Sequence, residues 1–451
     1  MRKHLFLSFF LLQAALMPFS GGLSAEEAKP LTLGESIEIA LKNSPLADSA
    51  AEGVIGAEAL RKEAFTGFLP KLSASYSYTR LNEAPTFTFP GIPPAALPAT
   101  TFKTGTKDNY NWNIQIRQPV YAGGGIAAAY ETSKTGVDLA RMTKMETELD
   151  IVQEVQTAYF TLLKAQRILG VAAQSLKRLA AHRESANAFY EEGLIPRNDL
   201  LRAEVELATG RQQLLRAENG VEMAKARFNT LLKRNMNAPV FIEDSMAESA
   251  ETGPLDFCIA EALKNRPEVK SHQARLKQAK SLVNKEKSAY YPQVSIAGSY
   301  ERYGDTPGVA GSPYRDQENW YVMAVAHWDF WEWGKTGYRV EAGKSRKNQA
   351  GAMLSALHDQ IALEVKNSFL LLQEAQKQLP VAKKAIEQAE ENFYINTERY
   401  KEHVGTATDV LDAQTLLTAA LSDYQNHISD LNIAKARLER TIGVPFRNRP
   451  R

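Results

Sequence analysis

Hydrophobic and polar residues alternate along four short segments, and this alternation predicts β-strands. In the segment 72–81, Leu72, Ala74, Tyr76 and Tyr78 share one face, and the residues between them are Ser or Thr. About ten residues is the length of a tilted membrane-spanning strand, although strands of a soluble sandwich alternate in the same way. Aromatic residues at the strand ends favour a membrane barrel. The other predicted strands are 110–119, 294–303 and 320–330.

Elsewhere the hydrophobic period lengthens to about three and a half residues, which predicts long α-helices. The apolar stripe through Leu149, Val152 and Val155 belongs to a helix predicted over 126–191, roughly 100 Å long at 1.5 Å per residue. Two shorter helices placed end to end have the length of one long helix, so we expect them to pack antiparallel to it. The remaining predicted helices are 33–67, 199–233, 256–288, 335–402 and 409–442.

The chain contains an internal repeat, which predicts a fold of two similar units. The sequence ALKNSP at 40–45 returns 222 residues later as ALKNRP, and further along the offset becomes 210 because one loop of the first copy is longer. The predicted fold is therefore mainly α with a small β part, in two tandem repeats that each contain a strand hairpin and very long helices. The predicted units are a first repeat over 26–240, a linker over 241–254, a second repeat over 255–446 and a tail over 447–451.

Residues 1–25 have the pattern of a secretory signal peptide, with Arg2 and Lys3 before an apolar run and Leu23-Ser24-Ala25 at the cleavage position. About a dozen apolar residues are too few for the ~20 that a spanning helix needs. Since no cysteine lies near the cleavage position, a lipoprotein is not expected. Without Arg2 and Lys3 the 54 basic residues become 52, equal to the 52 acidic ones, so no nucleic-acid partner is predicted.

Four strands cannot close a membrane barrel, so the predicted fold requires assembly. Unpaired strand edges are not tolerated in lipid, and single-chain barrels begin at eight strands. Eight strands leave an interior filled by side chains, whereas twelve begin to leave a lumen. The sequence therefore predicts a homo-oligomeric tube in contact with outer-membrane lipid, and a trimer is the smallest useful solution.

Two kinds of motif resemble the outer-membrane efflux protein family, the TolC-like channels. One is VGTATDVLDA at 404–413 with its first-copy counterpart at 193–203, and the other is the pair of strand-to-helix junctions at 119–124 and 329–334. The resemblance implies a homotrimer with a twelve-stranded outer-membrane β-barrel continued by a periplasmic α-helical barrel. It also implies a periplasmic adaptor and an inner-membrane pump of the RND or ABC class as partners, and passive conduction of small molecules to the outside.

The resemblance also places a narrow aperture at the periplasmic end. Asp409 and Asp412 stand where the family has its aperture carboxylates, and residues three apart share a helix face, so three chains would form a ring of six. Asp409 and its counterpart Asp199 also follow turns, where an acidic residue can cap a helix. Arg202 is the counterpart of Asp412, and the two are expected to pair across the closed aperture.

The turns beside the aperture resemble the tips that contact the adaptor in this family, although a glycine there can simply end a helix. The second turn is expected to be about two residues shorter than the first. The glycines after the strands are interpreted as hinges between barrel and helix rather than as phosphate-binding loops. The tip residues are Gly193, Leu194, Ile195, Val404, Gly405 and Thr406, and the junction glycines are Gly123, Gly124 and Gly334.

The sequence contains no pattern that predicts catalysis. Its seven histidines and single cysteine show no ligand spacing, so neither a metal nor a cofactor is expected. A type I protein secretion channel remains an alternative to small-molecule efflux, because the tunnel is similar in both. A structural coiled-coil envelope protein is a more distant alternative that does not account for the strand pairs.

Overall fold

The computed structural model describes residues 30–91, 98–250 and 252–444, and it is mainly helical. The predicted signal peptide over 1–25 and the tail over 447–451 lie outside the described residues. None of the described helices combines the length and apolar composition needed to cross a bilayer.

The first half of the chain contains four helices and four strands among its described residues. They are α1 Leu33–Asn43, α2 Pro45–Thr66, β1 Lys71–Arg80, β2 Thr86–Phe89, β3 Thr100–Lys103, β4 Asp108–Ala122, α3 Gly125–Glu191 and α4 Arg197–Leu231. The described second half has the same order without a counterpart of β2 and β3. Its elements are α5 Leu255–Asn265, α6 Pro267–Lys287, β5 Gln293–Gly304, β6 Glu318–His327, α7 Lys335–Lys401 and α8 Ala407–Ile442.

The single helices predicted over 33–67 and 256–288 were wrong, because each region contains two helices. Pro45 and Pro267 each occupy the first helical position of the second helix, and the residue before each proline leaves the helical conformation. Ser44 has φ −75° and ψ 119°, and Arg266 has φ −59° and ψ 129°. The proline ring disfavours the α region at the preceding residue, so the chain breaks at the same point in both halves.

The four long strands form one antiparallel sheet in the order β1-β4-β5-β6, and β2 pairs only with β3. The two hairpins have matching registers, since Lys71 pairs with Arg117 and Gln293 pairs with His327 at the sequence offsets of the repeat. Within the described chain, β1 and β6 each have one edge without a neighbouring strand. Strand β6 ends at His327 rather than at the predicted residue 330, and its outer edge has no partner to extend it.

Each of the two long helices has 67 residues, and both pack against the shorter helices of their own half. Helix α3 contacts α1, α2 and α4, while α7 contacts α5, α6 and α8. The contacts of α3 with α6 and α8 join the two halves. Two separate apolar clusters lie along the bundle, one around Tyr159 and Phe228 and the other around Ile361 and Leu372.

Candidate aperture and helix tips

The turn between α7 and α8 places Asp409 in a helix cap. The Thr406 backbone N–H donates to Asp409 Oδ2 at 3.0 Å, and the Asp409 N–H donates to Thr406 Oγ1 at 3.2 Å, which completes a capping box. Hydrogen bonding with the backbone and the side chain of Thr406 lowers the pKa of the Asp409 carboxyl. Asp409 is therefore an ionised cap, and its side chain is exposed to solvent.

Asp412 lies one turn further along α8 and is also exposed. Its carboxylate forms no hydrogen bond or ion pair with the part of the chain that the structure describes. Because Asp409 and Asp412 are three residues apart and both exposed, they present two carboxylates on one side of α8.

Asp199 occupies the same place at the start of α4, but its environment differs. Pro196 stands at the N-cap, and it has no hydroxyl to form a capping box. The Asp199 N–H donates to the Pro196 carbonyl at 3.1 Å, and Asn198 donates to the Asp199 carboxylate at 3.3 Å. The buried Tyr400 of α7 has its pKa raised by burial and by the nearby charge of Asp199.

Arg202 joins α4 to α8 in a way that the sequence did not predict. Its guanidinium donates to the Thr408 hydroxyl, which links α4 to α8 within one chain. The ion pair predicted between Arg202 and Asp412 is not formed among the described residues of a single chain. An ion pair between neighbouring copies stays a prediction.

The two turns have the same length, so the prediction that the second is about two residues shorter was wrong. Helix α3 ends at Glu191 and α4 begins at Arg197. Helix α7 ends at Lys401 and α8 begins at Ala407, each 210 residues later in the chain. The left-handed position of the first turn is Gly193 with φ 76°, and that of the second is His403 with φ 58°. Gly405 therefore does not correspond to Gly193. A Cβ at Gly405 would lie 3.1 Å from Arg399 Cβ, so close packing accounts for this glycine.

Of the six tip residues, two present large apolar side chains to solvent. Leu194 is 52% exposed and Val404 is 67% exposed, and they occupy equivalent positions in the two turns. Ile195 instead packs against the small buried cluster that contains Leu200 and Ala203, and Thr406 serves as the cap. Leu194 and Val404 are therefore the tip side chains available for an apolar contact.

The glycines at the strand-to-helix junctions adopt a backbone conformation that favours glycine. Gly124 and Gly334 are the N-cap residues of α3 and α7, and both have φ 82°. Gly123, just before Gly124, has φ 59°. The left-handed region is open to glycine at little cost, and these residues redirect the chain from the sheet into the long helices.

A buried polar cluster lies above the tips and was missed by the sequence analysis. Arg178 Nε donates to Gln414 Oε1 at 2.9 Å, and Gln414 Nε2 donates to Ser175 Oγ at 3.1 Å and to Thr418 Oγ1 at 2.8 Å. Burial lowers the pKa of Arg178. These contacts join α3 to α8. In the sequence, the cluster is indicated only by polar residues that interrupt an apolar stripe.

A larger ion network, also missed from the sequence, lies where the α5–α6 break meets the long helices. Arg266 binds Glu364 at 2.7 Å and Glu268 at 2.9 Å, and Arg440 binds Glu268 at 3.0 Å and Asp150 at 2.6 Å. Burial by itself would raise the pKa of Glu268, but the hydrogen bonds from Arg266 and the charge of Arg440 lower it to about 2. The network ties α3 of the first half to three helices of the second.

This depressed pKa predicts an acid-sensitive contribution to stability. Because the pKa of Glu268 falls from 4.5 to about 2 on folding, the carboxylate stabilises the fold above pH 4.5. That contribution, on the order of 3 kcal/mol, should disappear as the pH falls from 4.5 towards 2. Urea unfolding followed by circular dichroism across this window measures it. In Glu268→Gln the slope should be smaller, and an unchanged slope would contradict the assignment.

The described chain thus combines a four-stranded sheet with two open edges and two helices of 67 residues that end in turns with exposed apolar side chains. A comparison with protein-family models matches residues 36–232 and 258–444 to the outer membrane efflux protein family. The chain belongs to this family, and its location is the outer membrane.

Individual relatives are distant but extend over much of the chain. Nodulation protein T of Rhizobium leguminosarum bv. trifolii is 20% identical over 325 residues, which cover 70% of this chain and 68% of that protein. The cobalt-zinc-cadmium resistance protein CzcC of Cupriavidus metallidurans is 25% identical over 184 residues, 41% of this chain and 44% of CzcC. The structure of the Neisseria gonorrhoeae MtrE outer membrane channel shares the fold, with a TM-score of 0.75, 18% identity and coverage of 91% and 88%.

Proposed function

We propose that three copies of this chain form the exit duct of a tripartite efflux system. The observation that carries the proposal is the pair of open edges on β1 and β6. In lipid every backbone polar group must find a partner, so the sheet must close on itself through further copies. Three copies supply twelve strands, which leave a lumen, whereas two copies supply eight and leave none.

In this proposal the helices continue the lumen into the periplasm. The duct is passive, because transport is driven by an inner-membrane pump of the RND or ABC class. A periplasmic adaptor connects the pump to the duct at the helix tips, where Leu194 and Val404 are exposed. The capping box of Asp409 and the link from Arg202 to Thr408 hold α8 in a defined position beside the proposed aperture.

Reconstitution of the purified protein into planar bilayers tests the proposal. We expect discrete conductance steps from a detergent-extracted, heat-modifiable species whose crosslinked mass is three times that of the chain. A crosslinked dimer, or a trimer without conductance, would contradict the proposed duct.

The proposed aperture carboxylates predict cation preference. The double variant Asp409→Asn/Asp412→Asn should have a severalfold lower ratio of cation to anion permeability than the wild type, because rings of carboxylates favour cations. Reversal potentials under a salt gradient measure this ratio. Asp412→Asn alone is the cleaner variant, since Asp409 also caps α8. Asp423→Asn provides a control on the same helix, and an equal effect of both substitutions would argue against a ring at Asp412.

The cargo class can be tested in a deletion strain. CzcC is named for resistance to cobalt, zinc and cadmium, and its similarity covers 41% of this chain. Divalent cations are therefore one arm of the growth assay, and organic antibiotics and solvents are the other. Restored growth in one arm on re-expression assigns the cargo class.

A further inference from the structure

The two strand-to-helix junctions are equivalent in backbone but differ in side chains. The first junction is residues 119–125, from the end of β4 to the first residue of α3, and the second is residues 329–335, which follow β6 and end at the first residue of α7. Gly123 has φ 59°, and its counterpart at the offset of 210 is Trp333 with φ 52°. The next residue in both is a glycine with φ 82°. A tryptophan therefore occupies a left-handed position that is strained for a bulky residue.

The first junction shows why its own residues are glycines. A Cβ at Gly123 would lie 2.5 Å from the Ser288 carbonyl oxygen and 3.0 Å from Tyr291 Cβ. A Cβ at Gly125 would lie 2.7 Å from Ser288 Oγ. The segment that enters β5 therefore approaches so closely that a Cβ at Gly123 would overlap its backbone, and one at Gly125 would overlap the Ser288 hydroxyl.

The second junction lacks both of these glycines. Trp333 replaces Gly123, and Lys335 replaces Gly125. The indole of Trp333 is 85% exposed in the single chain, and Phe330 and Trp331 beside it are 78% and 69% exposed. A neighbour cannot approach this junction as closely as Ser288 approaches the first one.

The geometry of the sheet identifies the segment that faces the second junction. Closing the sheet pairs β6 of one copy with β1 of the next, and the two strands are antiparallel, as β4 and β5 are. In the β4–β5 register Ala122 pairs with Gln293. The same register, continued past His327 where β6 ends, places Glu332 opposite Lys71 of the next copy, and Glu332 binds Lys335 at 2.5 Å within its own chain.

The same offsets place Thr66 where Ser288 lies and Leu69 where Tyr291 lies. Residues 65–70 are all exposed in the single chain, and they include the apolar side chains of Phe65, Phe68 and Leu69. An exposed apolar segment and an exposed aromatic junction therefore come together at the same seam.

We propose that Trp333 is a wedge between neighbouring copies, covered by residues 65–70 of the next chain. The proposal rests on the homotrimer proposed above and adds a difference between its seams. The trimer then contains three tight junctions within chains and three wider junctions between chains, so the two repeats are not equivalent at the base of the barrel. The occupant of the exposed aromatic surface is a second copy of this chain rather than lipid.

Paired cysteines measure the width of the two junctions. Thr66→Cys with Lys335→Cys spans the seam between copies, and Ser288→Cys with Gly125→Cys is the matched pair within a chain. The native Cys258 is buried and can remain. We expect direct oxidation to join the pair within the chain, whereas the pair between copies is joined only by a longer bismaleimide. Adding Trp333→Gly should allow the direct disulfide between copies.

The outcomes separate the wedge from the trimer. A direct disulfide between copies with Trp333 present would overturn the wedge. A conducting trimer in which neither oxidation nor the bismaleimide joins residues 66 and 335 would also overturn it. Absence of any trimer or conductance would overturn the proposed function as well. Brominated phospholipid quenches tryptophan that lipid contacts, and it therefore tests whether lipid covers Trp333. The fluorescence of Trp333, taken as the difference between the wild type and Trp333→Phe, should not be quenched. Strong quenching of that component would assign Trp333 to lipid instead.

Discussion

Arg266→Met is expected to lower the free energy of unfolding by about 3 kcal/mol, because it removes one of the two arginine partners of the mostly buried Glu268 carboxylate. The side chains of Arg266 and Glu268 are 7% and 15% exposed, so water has little access to replace this contact, whereas Glu364 is 39% exposed and can be solvated. Methionine keeps the apolar volume, which limits the cost of a cavity. Urea unfolding in detergent at pH 7, followed by circular dichroism, measures the change.

The chain offers a matched control on its surface. Arg141 binds Glu58 at 2.9 Å, but their side chains are 53% and 37% exposed. Exposed ion pairs contribute about 0 to 1 kcal/mol, so Arg141→Met should have little effect. If the two substitutions destabilised the protein equally, the network around Arg266 would have no special role. Both proteins should still form the oligomer under native conditions, which a crosslinking assay verifies.

The long helices and the strands were predictable because their signals are local and repeated. Period-two alternation in 72–81 arises because a strand points successive side chains to opposite faces, and a sustained apolar stripe such as that through Leu149 requires a helix. The breaks at Pro45 and Pro267 were also visible in principle. They were missed because the apolar pattern continues across each break, whereas the proline acts on the single residue before it.

The ion network could not be predicted from spacing, because its members are far apart in the chain. Arg266 and Arg440 come together only when α6 and α8 pack against α3. The repeat did contain a weak signal, since the first-copy counterpart of Arg266 is Ser44. A charge that appears in one copy at a buried position needs partners from elsewhere, and the fold supplies them.

The tips show the opposite situation, in which a local signal misled the alignment. Matching Gly193 to Gly405 made the second turn look shorter, but the left-handed residue there is His403. The assignment of Asp199 and Asp409 to the proposed aperture does not depend on this error, because both residues lie at the same position of their helices. The side chains that contact a partner, however, depend on the corrected alignment, which pairs Leu194 with Val404.

Leu194→Asp combined with Val404→Asp is expected to reduce efflux to the level of a deletion strain. Both side chains are exposed at equivalent places of the two turns, and burying a new carboxylate in an apolar contact is strongly unfavourable. The turns themselves should be unaffected, because their backbone hydrogen bonds do not involve these side chains: Leu194 N–H donates to Phe189 at 2.8 Å and Val404 N–H to Arg399 at 2.9 Å. Growth in the presence of the cargo measures efflux.

The apolar replacements Leu194→Met and Val404→Ile separate docking from folding, because they keep the contact and should retain efflux. Conductance of the aspartate variant in planar bilayers should match that of the wild type, since the duct is intact and only its connection to the adaptor is lost. Full efflux in the aspartate variant would exclude the tips as the docking site. Loss of conductance together with efflux would instead assign Leu194 and Val404 to the assembly of the duct, because a duct that no longer conducts cannot report on docking.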